Sequence, residues 1–157
     1  MAEYFGAADL RPMNDMLRAR TAEFGLSFAP PLVLSNSRSA ILAAEYARST
    51  GSHAEFSRRV FAAYFAEGRD IGDVATLRAV AADAGLDAEG LRLSLLAGEY
   101  VDLLLAAEAE ARGLGITGVP TFFVGGVPSS SDASRAPSRR IVGAQPLEVF
   151  RTALRGM

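Results

Sequence analysis

The stretch Gly115-Ile116-Thr117-Gly118-Val119-Pro120-Thr121-Phe122-Phe123-Val124 is the part of the chain that fixes its fold. A proline stands directly before four residues of β type. Proline has a fixed φ and no backbone N–H, so it suits the first residue of a strand and not its interior. A cis bond before proline costs only about 0.5–1 kcal/mol relative to trans. The residues therefore permit a cis Val119–Pro120 bond and predict a strand over Thr121–Val124, closed by Gly125-Gly126. Val127 to Ser138 reads as a loop, with two prolines and five serines. Arg140-Ile141-Val142 then reads as a second short strand, stopped by Gly143. Pro146 opens a last helix in which Leu147, Phe150 and Leu154 stand at i, i+3 and i+7.

Upstream, the pattern is helix after helix. Asp9 is placed to cap a segment from Leu10 to Phe24, with Met13, Met16, Leu17 and Phe24 on one face and Gly25 at its end. Pro30-Pro31 breaks the chain, and Leu32-Val33-Leu34 crosses it extended. Ser35 to Ser37 offers N-caps for a second helix through Ile41, Leu42 and Tyr46. A third, from about His53 to Ala66, carries Phe56, Val60, Phe61, Tyr64 and Phe65, read as an aromatic core stripe. Asp73 caps a fourth helix with Val74, Leu77, Val80 and Ala81. Asp87 caps a fifth through Leu96. A sixth runs from about Glu99 to Arg112, apolar at Val101, Leu104 and Leu105. The fold class is α+β and mostly helical. A helical region over 1–113 precedes a hairpin-and-helix region over 114–157, the two expected to form one compact unit.

Composition removes several kinds of chemistry. The 157 residues include no cysteine and one histidine, His53. Disulfides, thiolate metal sites, cysteine nucleophiles and Cys-x-x-Cys redox centres are excluded, as is any site built on two imidazoles. The net charge is −2, which gives no electrostatic case for nucleic acid. All 16 basic residues are arginine, as in chains from GC-rich genomes. No apolar run reaches the ~20 residues that span a bilayer. The first residues show no signal-peptide pattern, and a cytoplasmic protein without membrane or nucleic-acid contact is expected.

Most other candidate sites have plain structural explanations. Gly113-Leu114-Gly115-Ile116-Thr117-Gly118 matches G-x-G-x-x-G, but it leaves a helix and enters a strand. A dinucleotide fingerprint does the reverse, so that the pyrophosphate meets a helix N-terminus. A helix C-cap is expected here. His53 reads as a first-turn histidine. The acidic pairs Glu108/Glu110 and Asp70/Asp73 read as solvated helix faces. Arg135, Arg139 and Arg140 form a small basic cluster beside the serine-rich loop, read as solvated although such a cluster can hold a phosphate or carboxylate.

Gly115 to Phe122, the hairpin, and Ile141-Val142-Gly143-Ala144-Gln145-Pro146-Leu147-Glu148-Val149-Phe150-Arg151-Thr152-Ala153-Leu154 together resemble the C-terminal half of a DsbA-like thioredoxin fold. The resemblance is greatest to the branch holding FrnE-type proteins and 2-hydroxychromene-2-carboxylate isomerases. Val119, Pro120 and Thr121 match the family's cis-proline loop, Phe122 to Val124 its strand, and Gly143-Ala144-Gln145 its turn into the final helix. Ser35 to Tyr46, Phe61 to Phe65 with Gly68-Arg69-Asp70-Ile71, and Ala84 to Asp87 resemble its inserted helical domain. Family members begin with a β-α-β unit bearing Cys-x-x-Cys, or a serine variant among the isomerases, and nothing before Asp9 resembles that unit. The resemblance implies an oxidoreductase relative that lacks the catalytic half and is redox-inert alone, needing no cofactor. It also implies that Val119, Pro120 and Thr121 contact an extended substrate segment by strand addition. Two alternatives stand beside it. One is a non-catalytic interaction module that completes its sheet with a partner chain or its own twin; the other is a glutathione-dependent isomerase-like protein.

Overall fold

The computed structural model describes residues 11–30, 33–125 and 139–155. It is a mostly helical α+β chain, built in the order α1 (Arg11–Ala22), α2 (Arg38–Ser49), α3 (His53–Phe65), α4 (Val74–Asp83), α5 (Ala88–Ala97), α6 (Val101–Gly113), β1 (Thr121–Val124), β2 (Arg139–Val142) and α7 (Leu147–Arg155). The chain divides into two compact units, Met1–Asp102 and Leu103–Met157.

The first unit is organised around α2, which touches α3, α4 and α5. Of its buried residues, Ala40, Leu42, Ala43 and Ala47, the three alanines belong to the core cluster and are small enough to let three neighbours come close. Phe56, Leu77, Val80 and Leu91 are its largest fully buried side chains. Burying each apolar side chain of this size contributes roughly 1.5–3 kcal/mol. Two carboxylates start helices as the sequence implies. Asp73 accepts from the Ala75 and Thr76 N–H groups, and Asp87 from those of Glu89 and Gly90. These bonds satisfy donors that the first turn leaves without partners. At the start of α2 the device differs: Ser37 makes no side-chain cap bond. Asn36 Oδ1 instead accepts from the Arg38 N–H at 3.1 Å, and Ser35 Oγ accepts from the Ile71 N–H at 3.2 Å. Asp9, with the helix start it was assigned, lies outside the described residues, as does Leu32.

The apolar stripes expected from spacing on α1, α3, α6 and α7 are at most partly buried. Of the aromatic stripe on α3, Phe56 is buried, whereas Phe61 is 63% and Phe65 44% exposed. At ~100° per residue these two rings point about 140° and 180° away from Phe56. They form a second, outward face. On α1 and α6 no residue is buried, so their apolar positions are not core. On α7, Leu147 and Leu154 are 61% and 62% exposed, and Ala153 is the buried residue.

In the second unit β1 and β2 pair antiparallel, with Thr121 opposite Val142, Phe122 opposite Ile141, Phe123 opposite Arg140 and Val124 opposite Arg139. Ile141 and Ala153 are buried, and the Phe122 ring meets that of Phe150 on α7. The stretch from Gly126 to Ser138, with Arg135, lies outside the described residues.

Candidate functional site

The glycine-rich segment after α6 is a helix terminus. Gly115 N–H donates to the Arg112 carbonyl and Ile116 N–H to the Ala111 carbonyl, each at 3.0 Å. Gly115 has φ +65°, a left-handed conformation that a side chain would strain. The free ends here are carbonyls, which do not attract an anion. The G-x-G-x-x-G match is therefore a helix C-cap, as expected.

From that cap the chain runs to the strand through a loop tied at three carbonyls. Arg140 Nη1 donates to the Gly115 carbonyl at 3.0 Å. Thr121 Oγ1 donates to the Gly118 carbonyl at 2.6 Å. Gly143 N–H donates to the Pro120 carbonyl at 2.8 Å. The Val119–Pro120 peptide bond is cis. Val119 is 89% exposed, and neither its N–H nor its carbonyl has a hydrogen-bond partner among the described residues.

The Gly143–Pro120 bond extends the β1–β2 ladder by one pair. Antiparallel ladders alternate between pairs that exchange hydrogen bonds and pairs that do not. Pro120, Phe122 and Val124 therefore turn their backbone polar groups towards β2, while Thr121 and Phe123 turn theirs to the opposite side. Among the described residues no strand lies on that side, because the sheet has two strands. The outer edge of β2 is different. Gln145 Nε2 donates to the Val142 carbonyl at 2.9 Å, closing an acceptor on that edge. Val119, Pro120 and Thr121 thus lie at the head of the one edge that no side chain caps among these bonds. The sequence did not single out Gln145 or Gly143 for this; both were read only as a turn.

The remaining candidates stand apart from this edge. His53, half-buried at the start of α3, has its Nε2 2.9 Å from Arg48 Nη2 and 3.5 Å from Ser57 Oγ. Arginine only donates, so Nε2 is the acceptor in the Arg48 contact. Asp70 Oδ1 accepts from the Gly72 N–H at 2.8 Å, and Asp73 is a cap. Glu108 lies 3.9 Å from Arg112 on the next turn. Arg139 is exposed. Among the described residues no group of three His, Cys, Asp or Glu side chains is placed to hold a metal ion, and no helix is long and apolar enough to cross a membrane.

Helical region, hairpin, cis-proline loop and closing helix define a thioredoxin-related protein with a helical insertion. The chain belongs to the DSBA-like thioredoxin domain family, whose model matches residues 7–155. In structure it is similar to the probable DsbA oxidoreductase SCO1869 from Streptomyces coelicolor, at 29% identity and a TM-score of 0.75. That similarity covers 99% of this chain and 64% of the other. In sequence it is 35% identical over 81 residues to the uncharacterized protein YwbO of Bacillus subtilis (strain 168), which is 51% of this chain and 40% of that protein. The chain thus spans less than two-thirds of either relative.

Proposed function

We propose that this polypeptide is the substrate-contact part of a DsbA-like protein, that it pairs with an extended peptide segment along Val119, Thr121 and Phe123, and that it performs no thiol–disulfide exchange by itself. The observation that carries the reading is the uncapped edge of β1, continued by the unpartnered backbone of Val119. Strand addition needs alternate N–H and C=O groups facing one side, with pockets for alternate side chains. Redox inertness follows from the chemistry: exchange proceeds by attack of a thiolate, and the sequence contains no cysteine. A chain without thiols gains nothing from an oxidising compartment, and the proposal places it in the cytoplasm.

The test uses a cysteine-free pentapeptide, acetyl-Val-Thr-Val-Thr-Val-amide, titrated into the isotope-labelled protein. Perturbation confined to the Val119, Thr121 and Phe123 amides supports the reading, and perturbation elsewhere or none overturns it. In parallel, pure protein is expected to show no insulin-disulfide reduction, and turnover would sink the second half of the proposal.

A second reading, that the same edge pairs with another copy of this chain, is favoured by the make-up of β1. Its four residues, Thr-Phe-Phe-Val, include no charge and no proline, the usual guards of an open edge.

A further inference from the structure

We propose that Arg140 is a positioning residue that holds the Val119 loop in the shape strand pairing requires; this rests on the peptide-contact reading above. Arg140 belongs to a basic cluster with no assigned role, and Gly115 to a glycine pattern that binds no nucleotide. The structure joins the two. The guanidinium reaches across 25 positions of sequence to the Gly115 carbonyl at 3.0 Å. A Cβ on Gly115 would stand 3.4 Å from the same Nη1, an ordinary contact, so glycine is favoured there by its φ of +65° and not by the guanidinium. A hydrogen bond from a charged donor is stronger than a neutral one.

The tie matters because of where it falls. Ile116, Thr117 and Gly118 link the Gly115 anchor to Val119, and the Thr117 side chain makes no hydrogen bond among the described residues. Thr121 fixes the Gly118 carbonyl from the strand side, and Gly143 fixes Pro120. Arg140 and Gly143 both belong to β2 or its end, so the hairpin partner of β1 also sets the approach to β1. With the Arg140 tie removed, the loop keeps its strand-side bonds and the α6 cap bonds of Gly115 and Ile116 but is no longer held to β2 at Gly115. A peptide must then order the loop on binding, and that ordering weakens the complex.

The experiment compares the full chain with its Arg140→Ala and Arg140→Lys variants in three measurements. These are affinity for the acetyl-Val-Thr-Val-Thr-Val-amide probe, ¹⁵N order parameters at Thr117, Gly118 and Val119 without peptide, and melting temperature. Arg140→Ala is expected to bind about tenfold more weakly, with lowered order parameters confined to Thr117–Val119 and a melting temperature close to the parent. Arg140→Lys, which retains a cationic donor, is expected to recover part of the affinity. Unchanged affinity or unchanged order parameters in Arg140→Ala overturn the proposal. So does a lysine variant no better than alanine. If the parent does not bind the probe, the peptide-contact reading fails, and the order parameters alone then decide the role of Arg140. Should Arg140→Ala fail to fold, Arg140→Gln, which keeps an aliphatic stem and loses the charge, is judged by the same readouts.

Discussion

Phe122 on β1 and Phe150 on α7 meet edge to face, with ring centroids 4.9 Å apart and planes at 85°. This contact joins the closing helix to the strand that carries the candidate site. Edge-to-face aromatic pairs contribute about 0.5–1.5 kcal/mol beyond the area they bury.

Phe150→Ala is therefore expected to destabilise the hairpin and helix by about 2 kcal/mol, from lost apolar area and the lost ring contact. Phe150→Leu keeps most of the area and should lose about 1 kcal/mol. Urea unfolding followed at the β1 and α7 amides measures both. No loss in Phe150→Leu would show that ring geometry contributes nothing.

Gly90 sits in the first turn of α5 under the Tyr46 hydroxyl. A Cβ added there would lie 2.5 Å from the Tyr46 oxygen and 2.7 Å from Asp87 Oδ2. Alanine is normally the better helix former by about 1 kcal/mol. Here it must displace the tyrosine and disturb the Asp87 cap, so Gly90→Ala is expected to lower the melting temperature. Tyr46→Phe removes the nearer of the two oxygens. The double variant should therefore be more stable than the sum of the single changes implies, with a coupling of about 0.5–1 kcal/mol. Strict additivity would refute the steric account.

Arg58 grips Glu55 through one guanidinium edge, Nη2 at 2.7 Å and Nε at 3.0 Å, and Arg59 Nε adds a third bond at 2.6 Å. The Arg58 hydrogen bonds are the first cause of a Glu55 pKa lowered from 4.5 to about 2. Backbone N–H groups of Ala75 and Thr76 likewise lower the pKa of Asp73 below 3.8. In both cases the folded value lies below the unfolded one. The stability they contribute is complete above about pH 5 and is lost as pH falls through the folded values, near pH 2 for Glu55. NMR titration of the carboxylates should show the Glu55 midpoint near 2, moving up towards the ordinary glutamate value in Arg58→Ala. Both groups are exposed, so 1 M salt is expected to shrink the Glu55 shift.

The parts of this fold legible in the sequence are those fixed locally. Asp73 and Asp87 announce their helices because a cap bonds only to the next two or three residues. Pro120 announces β1 because proline has few permitted positions. What could not be read depends on residues far apart. The spacing of Phe56, Phe61 and Phe65 places the last two on the face opposite Phe56, but only the packing of α2 against α3 shows which face is inside. Leu147 and Leu154 have the right period for a core, yet Ala153 is the buried residue of α7. Arg140 looks like a solvated loop arginine until the hairpin brings it to Gly115. The capping of the β2 edge by Gln145 is equally silent, since nothing in a Gly-Ala-Gln turn marks its side chain as the partner of a strand carbonyl.

The open edge of β1 can be blocked without breaking the hairpin, because adjacent residues of the strand use their N–H groups in opposite directions. By the ladder alternation, the Val124 N–H serves the pairing with Arg139, whereas the Phe123 N–H points to the uncovered side. Proline is tolerated where the lost N–H faces outward and not where the ladder needs it. Phe123→Pro is therefore expected to keep the β1–β2 pairing, seen as retained hydrogen-exchange protection at Phe122 and Ile141. The same variant should bind the pentapeptide at least about tenfold more weakly, and any concentration-dependent association in sedimentation velocity should disappear with it. Val124→Pro should do the opposite to the hairpin, exposing both protected amides to exchange. If Phe123→Pro binds peptide as the parent does while its hairpin stays intact, the partner does not dock on this edge. The unpartnered backbone of Val119 would then have to be explained without strand addition.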